Sequence, residues 1–239
     1  MHRRELLTGA AATGGAILLA HGALAGAARP PSAGANPAPG SHAPVPLPFK
    51  AGALAGISEK LITSHHDKNY AGAVKNLNKV EADLAALGKD AAPYLVAGLR
   101  EKELTYLNSV ILHERYFGNL GGDGKRSGAL DKRLGADLGA AAWEAAFRAA
   151  AMGLGGGSGW VVLALSFHDG DVRIASSANH TQAIAHGSPL LVLDMYEHAY
   201  ALDYGADHAA YIDAFFKNVA WHAVEDRYAR ALKARAALG

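Results

Sequence analysis

The chain has no cysteine, which excludes disulfides, zinc knuckles, thiolate catalysis and Cys-linked lipids together. Surplus charge is lacking too: 23 Lys and Arg against 22 Asp and Glu leave a formal +1 over 239 residues. No run of basic residues stands out from that balance, so no nucleic-acid partner is expected. Only 19% of residues are charged and 50% are hydrophobic, the proportions of a soluble globular protein with room for a substantial core. Histidine is mildly over-represented, with 12 copies, a supply of imidazole suited to metal or acid/base chemistry.

The start of the chain reads as an address. Arg3 and Arg4 are followed by a small and apolar stretch that closes with Ala23-Leu24-Ala25. A basic head, an apolar middle and a small-residue exit make a secretory signal, here of twin-arginine type, expected over residues 1–25 and cleaved after about Ala25. The stretch is too rich in Gly and Ala for a retained membrane span, so no membrane association is expected after cleavage. Residues 26–48 turn to Pro, Gly, Ala and Ser and are expected to be a flexible linker.

Folded structure is expected as an N-terminal domain over 49–124 and a C-terminal domain over 125–239. In the first, Tyr70, Val74, Leu77, Val80, Leu84 and Leu87 recur at helical spacing, with Gly88 as a stop. A second helix is expected over 91–120, broken by Gly121-Gly122-Asp123-Gly124, which makes a helical hairpin. In the second domain, 136–152 is alanine-rich and helical by propensity. Residues 160–167 and 172–177 read as a β-hairpin around His168-Asp169-Gly170-Asp171, 190–193 as a third strand, and the remainder as helix. The fold class is therefore α+β, a helical hairpin followed by a lobe with a three-stranded antiparallel sheet and helices.

Asp194 and His198 lie four apart just after the third strand, a spacing that brings a carboxylate and an imidazole to one ion. His65 and His113 sit inside apolar helical segments, where a single His is more often a bonded core residue; together the four groups suggest a metal centre. The run Asp194-Met195-Tyr196-Glu197-His198-Ala199-Tyr200 resembles the Asp-x-Trp-Glu-His-Ala-Tyr signature of the iron/manganese superoxide dismutases, with Tyr196 for Trp. Also similar, in family order, are Val74-Lys75-Asn76-Leu77-Asn78, His113-Glu114-Arg115-Tyr116-Phe117-Gly118-Asn119-Leu120, Gly157-Ser158-Gly159-Trp160 and Ser177-Ala178-Asn179.

The resemblance implies His65, His113, Asp194 and His198 as ligands of one iron or manganese ion per subunit, lying between the two lobes with solvent as a fifth ligand. It implies superoxide as substrate, consumed by ping-pong redox cycling, in a homodimer or dimer of dimers. His180 stands where many members carry a Gln that bonds metal-bound solvent, and is expected to tune that solvent. Glu197 resembles the residue that bonds the ligand His, here His198, across a two-fold axis. Trp160 and Phe117 are expected to wall the pocket, and His66 to be structural. At helical spacing Asn69 and Ala73 should share the face of His65; the family usually has His and a gateway Tyr there, and Ala73 cannot replace that Tyr. With the signal, the whole implies an exported antioxidant enzyme, periplasmic or extracellular. A non-catalytic exported metal-binding protein is the alternative, and a zinc hydrolase on the same ligands a third, weakened by the absence of an evident general base.

Overall fold

The computed structural model describes residues 38–182 and 185–238. The expected signal, 1–25, and the first part of the expected linker, 26–37, lie outside them. A first helix begins at α1 (Glu59–Ser64), whose Ser58 cap accepts the Leu61 N–H. The main chain then widens into a π-helical turn (His65–Tyr70) and continues as α2 (Ala71–Ala85). Helix α3 (Pro93–Phe117) opens with proline at its first position and ends at Gly118, completing the hairpin. The expected 136–152 helix is instead two, α4 (Ala129–Leu138) and α5 (Ala142–Met152). Gly139 separates them with a φ of 85°, a conformation that alanine propensity on either side cannot supply.

Strands β1 (Trp160–Ser166), β2 (Val172–Ser177) and β3 (Gly187–Asp194) form an antiparallel sheet in the order β2-β1-β3. Strand β3 starts earlier than its apolar run suggested. A register shift between Leu163 and Ala164 lets Pro189, which has no N–H to donate, enter this edge strand. Trp160 pairs with Ser177 on one side and Asp194 on the other, so three regions marked in the sequence meet at one end of the sheet. Helices α6 (Ala201–Tyr204), α7 (His208–Lys217) and α8 (Trp221–Leu238) close the chain.

The two lobes are not independent. One continuous core includes Leu61 and Leu77 of the hairpin, Trp143 and Phe147 of α5, Leu191 of β3 and Phe215 of α7. Asn119 bolts the lobes together: its Oδ1 accepts the Val192 N–H at 2.9 Å, while its Nδ2 donates to the Tyr116 carbonyl at 2.8 Å. The end of α3 is thereby fixed to β3, a strand that leads directly to Asp194.

The linker expectation needs correction from residue 38 onward. The His42 N–H donates to Asn78 Oδ1 at 2.8 Å and Asn78 Nδ2 donates to the His42 carbonyl at 2.9 Å, while His42 Nε2 faces Glu81 at 3.0 Å. Further on, the Val45 N–H donates to the Tyr70 hydroxyl at 2.8 Å, and the Val45 carbonyl faces His66 Nε2 at 2.9 Å. Composition describes what this segment cannot bury by itself. It carries no information about polar partners waiting on another helix.

Candidate metal centre

His65, His113, Asp194 and His198 each place a ligand atom within 4.8 Å of the others. Asp194 Oδ2 is the focus: His65 Nε2 lies 3.1 Å away, His198 Nε2 3.2 Å and His113 Nε2 3.6 Å. The other carboxylate oxygen is committed elsewhere, since Oδ1 accepts the Tyr196 N–H at 2.8 Å in a local turn. Asp194 is also held through its carbonyl, which accepts the Tyr211 hydroxyl at 2.8 Å. Burial raises the Asp194 carboxyl, but His198 and His65 beside it win and hold it below the usual carboxylate range.

The two hairpin imidazoles are buried and differently oriented. His113 Nδ1 donates to the Ser109 carbonyl one turn back at 2.7 Å, with the Ser109 hydroxyl at 3.3 Å, which leaves Nε2 as a lone-pair donor toward Asp194. Burial first, then the neighbouring His65, lowers His113 to about 3. His65 is also lowered by burial, against the pull of Asp194. Among the described residues, His65 Nδ1 and Nε2 and His113 Nε2 are buried without a hydrogen-bond partner. Such groups are costly to hide from water unless something binds them.

The walls are aromatic, as expected. Phe117 lies 4.9 Å from the His65 ring and Trp160 5.0 Å from the His113 ring, centroid to centroid. Gly159, before Trp160, has a φ of 139° and passes so close to the Ser177 carbonyl that a Cβ would lie 2.2 Å from it. Only glycine permits that approach. His180 is also at the centre: its Nδ1 accepts the Trp160 indole N–H at 3.0 Å, which leaves the neutral ring's proton on Nε2. Burial lowers His180, partly offset by Asp194. Its ring lies flat on Tyr196 at 4.8 Å, and Tyr196 lies flat on His198 at 5.4 Å, so the Tyr that replaces Trp is the middle layer of a three-ring stack.

His66 stays outside the cluster, against Tyr70 at 5.3 Å and bonded to Asp67. Glu197 is exposed and has no bonded side-chain partner among the described residues. The turn that starts at His65 is π-helical, so the 3.6-residue spacing is not kept there; Asn69 is half-buried, and the turn closes on the fifth residue after His65. That residue, Tyr70, is buried and its hydroxyl donates to Glu114 Oε1 at 3.0 Å, joining the two ligand-bearing helices. Ala73 is buried one turn further on. Sequence reasoning treated Tyr70 as ordinary core, the first member of the apolar stripe of its helix.

A family model described as the C-terminal domain of iron/manganese superoxide dismutases matches residues 126–227. The chain is 46% identical over 190 residues to a superoxide dismutase [Fe] of Cupriavidus metallidurans, covering 79% of this chain and 96% of the relative. It is 36% identical over 197 residues to a superoxide dismutase [Fe] of Aquifex pyrophilus, covering 77% and 90%. A superoxide dismutase [Mn] 1 of Halobacterium salinarum is 36% identical over 192 residues, covering 78% and 94%.

Proposed function

The chain belongs to the iron/manganese superoxide dismutases and converts superoxide to oxygen and hydrogen peroxide with iron or manganese, and on that premise we propose that His65, His113, Asp194 and His198 hold a single ion. The observation that carries the assignment is the convergence of His65 Nε2, His198 Nε2 and His113 Nε2 within 3.6 Å of Asp194 Oδ2, with these nitrogens of His65 and His113 buried and without a hydrogen-bond partner. Three nitrogens and one hard oxygen suit either metal. Held by these residues, iron or manganese would supply the one-electron redox chemistry that turns two superoxides and two protons into oxygen and hydrogen peroxide.

The chain's own residues set the conditions for that step. Burial keeps His65 and His113 neutral, so their lone pairs need no deprotonation at ordinary pH. Asp194 contributes the one negative charge of the set, oriented by the Tyr196 N–H. His180, with its Nδ1 occupied by Trp160, offers Nε2–H as a donor at the pocket's edge. Glu197 reaches outward to bond His198 of a second copy, and two-fold symmetry makes that bond twice. The protein works outside the cytoplasm, in the periplasm or beyond it, delivered by its twin-arginine leader as a homodimer or dimer of dimers.

The test is superoxide consumption by residues 26–239 loaded separately with iron, manganese and zinc, with metal content measured and Asp194→Ala as control. Activity with iron or manganese that vanishes in the control supports the assignment. Full metal content and turnover retained in Asp194→Ala sink it. For export, Arg3→Lys with Arg4→Lys is expected to leave the precursor in the cytoplasm; unchanged periplasmic yield overturns the leader. Glu197→Ala is expected to yield monomer in sedimentation, and an intact dimer with unaltered metal affinity rejects the bridge.

A further inference from the structure

Away from the metal centre, the arginines divide into two groups. Arg100, Arg126, Arg133, Arg148 and Arg173 each pair with a carboxylate. Arg115, Arg227, Arg230 and Arg235 form no ion pair among the described residues, and all four are neighbours. The first three line one cleft of about 170 Å³ where the end of α3 meets β3 and α8. Arg235 stands at its edge, donating to the carbonyl of Phe167, another lining residue. Among the described residues no acidic side chain lines the cleft, and Ser188 adds a hydroxyl. Glu114, next to Arg115 in sequence, is bonded to the Tyr70 hydroxyl.

Arg227 is the unusual member. Its residue is only 7% exposed, and Nη1 donates to two neutral acceptors, the Leu190 carbonyl at 2.9 Å and Asn119 Oδ1 at 3.3 Å. The Nη2 end approaches Gly118, where a Cβ would lie 2.5 Å from it. Burial, then the like charges of Arg115 and Arg230, lower Arg227 to about 9. A buried guanidinium pressed by two others is destabilised unless a counter-charge joins it.

We infer that this cleft is a binding site for a small tetrahedral oxyanion of the phosphate type, with Arg227 as its floor and Arg115 and Arg230 as its rim. The guanidinium fork matches phosphate oxygens two at a time, and three arginines lining one cleft with no carboxylate among its described lining residues favour a multiply charged anion over chloride. The cleft is small enough that the headgroup alone enters, whether it comes as free phosphate or as the end of a phosphomonoester lipid.

The experiment uses the metal-loaded full chain at constant ionic strength, titrated with inorganic phosphate against chloride by calorimetry, with sedimentation on phosphatidic-acid and neutral vesicles as a second arm. Saturable phosphate binding with one site per chain is expected, lost by at least about tenfold in Arg115→Ala/Arg230→Ala. The rim variant should keep dismutase activity, because neither residue holds the metal, and so separates this inference from the functional reading. Phosphate binding accompanied by binding to phosphatidic-acid but not neutral vesicles identifies a lipid source, and phosphate binding without vesicle binding identifies the free anion. A phosphate response equal to that of chloride, or one unchanged in the rim variant, overturns the proposal. Should the variant unfold, Arg230→Glu alone serves: it must weaken phosphate binding while leaving the melting temperature in chloride unchanged.

Discussion

The two halves of the metal centre are built on opposite plans. The hairpin half, His65 and His113, is dry: both rings are buried inside helices and each is shielded by aromatic neighbours. The sheet half is positioned by hydrogen bonds at a strand end and reaches the surface, for the His198 side chain is 25% exposed whereas that of Asp194 is fully covered. The contrast assigns the halves different tasks. Burial makes the hairpin imidazoles permanent neutral donors, and the sheet half supplies charge and access.

The largest break in this comparison is Asp194→Ala, which removes the only anion of the set. Metal content and turnover are expected to fall to background, measured by elemental analysis and superoxide consumption. A variant that retains full metal would mean that the imidazoles suffice. Next in size is the response of metal-free protein to acid. His113 binds a proton near pH 6.5 when unfolded but only near 3 when folded, so the unfolded state holds more protons between those values. Its contribution to stability is complete above about 6.5 and is lost as pH falls toward 3. Denaturant midpoints for metal-free protein should decline across that window, and His113→Gln should flatten the decline. An identical slope in wild type and variant would remove His113 as the cause.

His180→Gln sharpens the comparison on the sheet side. Replacing an imidazole held by Trp160 should change turnover by about tenfold and alter the pH profile, while metal content stays full, as expected for a group that acts on a ligand's surroundings. Loss of metal instead would make His180 a ligand. The smallest effect is expected for Tyr70→Phe, which leaves the Val45 N–H and Glu114 without their shared hydroxyl and should cost about 1–3 kcal/mol in chemical denaturation. Turnover per bound metal should not change; a fall at full occupancy would give the hydroxyl a part in the reaction.

Different signals made different parts of the molecule legible. Asp194 and His198 could be read from a strand followed by two donors four apart, a geometry that local chain direction enforces. The hairpin ligands were visible through family resemblance, because a buried His in an apolar helix looks the same whether it binds a metal or a carbonyl. The π-helical turn at His65 was invisible: one extra residue in a turn changes backbone bonding without disturbing the apolar pattern on either side. The pinning of residues 38–48 was hidden for a related reason, since Asn78, Glu81 and Tyr70 read as ordinary helix residues until a second segment is laid across them. Ser109 acts through its carbonyl, which every residue possesses and no sequence can advertise.

The bolt at Asn119 has a consequence for how the protein is made. His65 and Asp194 are separated by more than half of the chain, and closing so long a loop is entropically unfavourable before the intervening core has formed. A nascent chain that has emerged only as far as β2 holds two imidazoles and no carboxylate. Ligand assembly is therefore one of the last events of folding, and an ion held by all four donors certifies that the chain has reached β3 and locked it to α3.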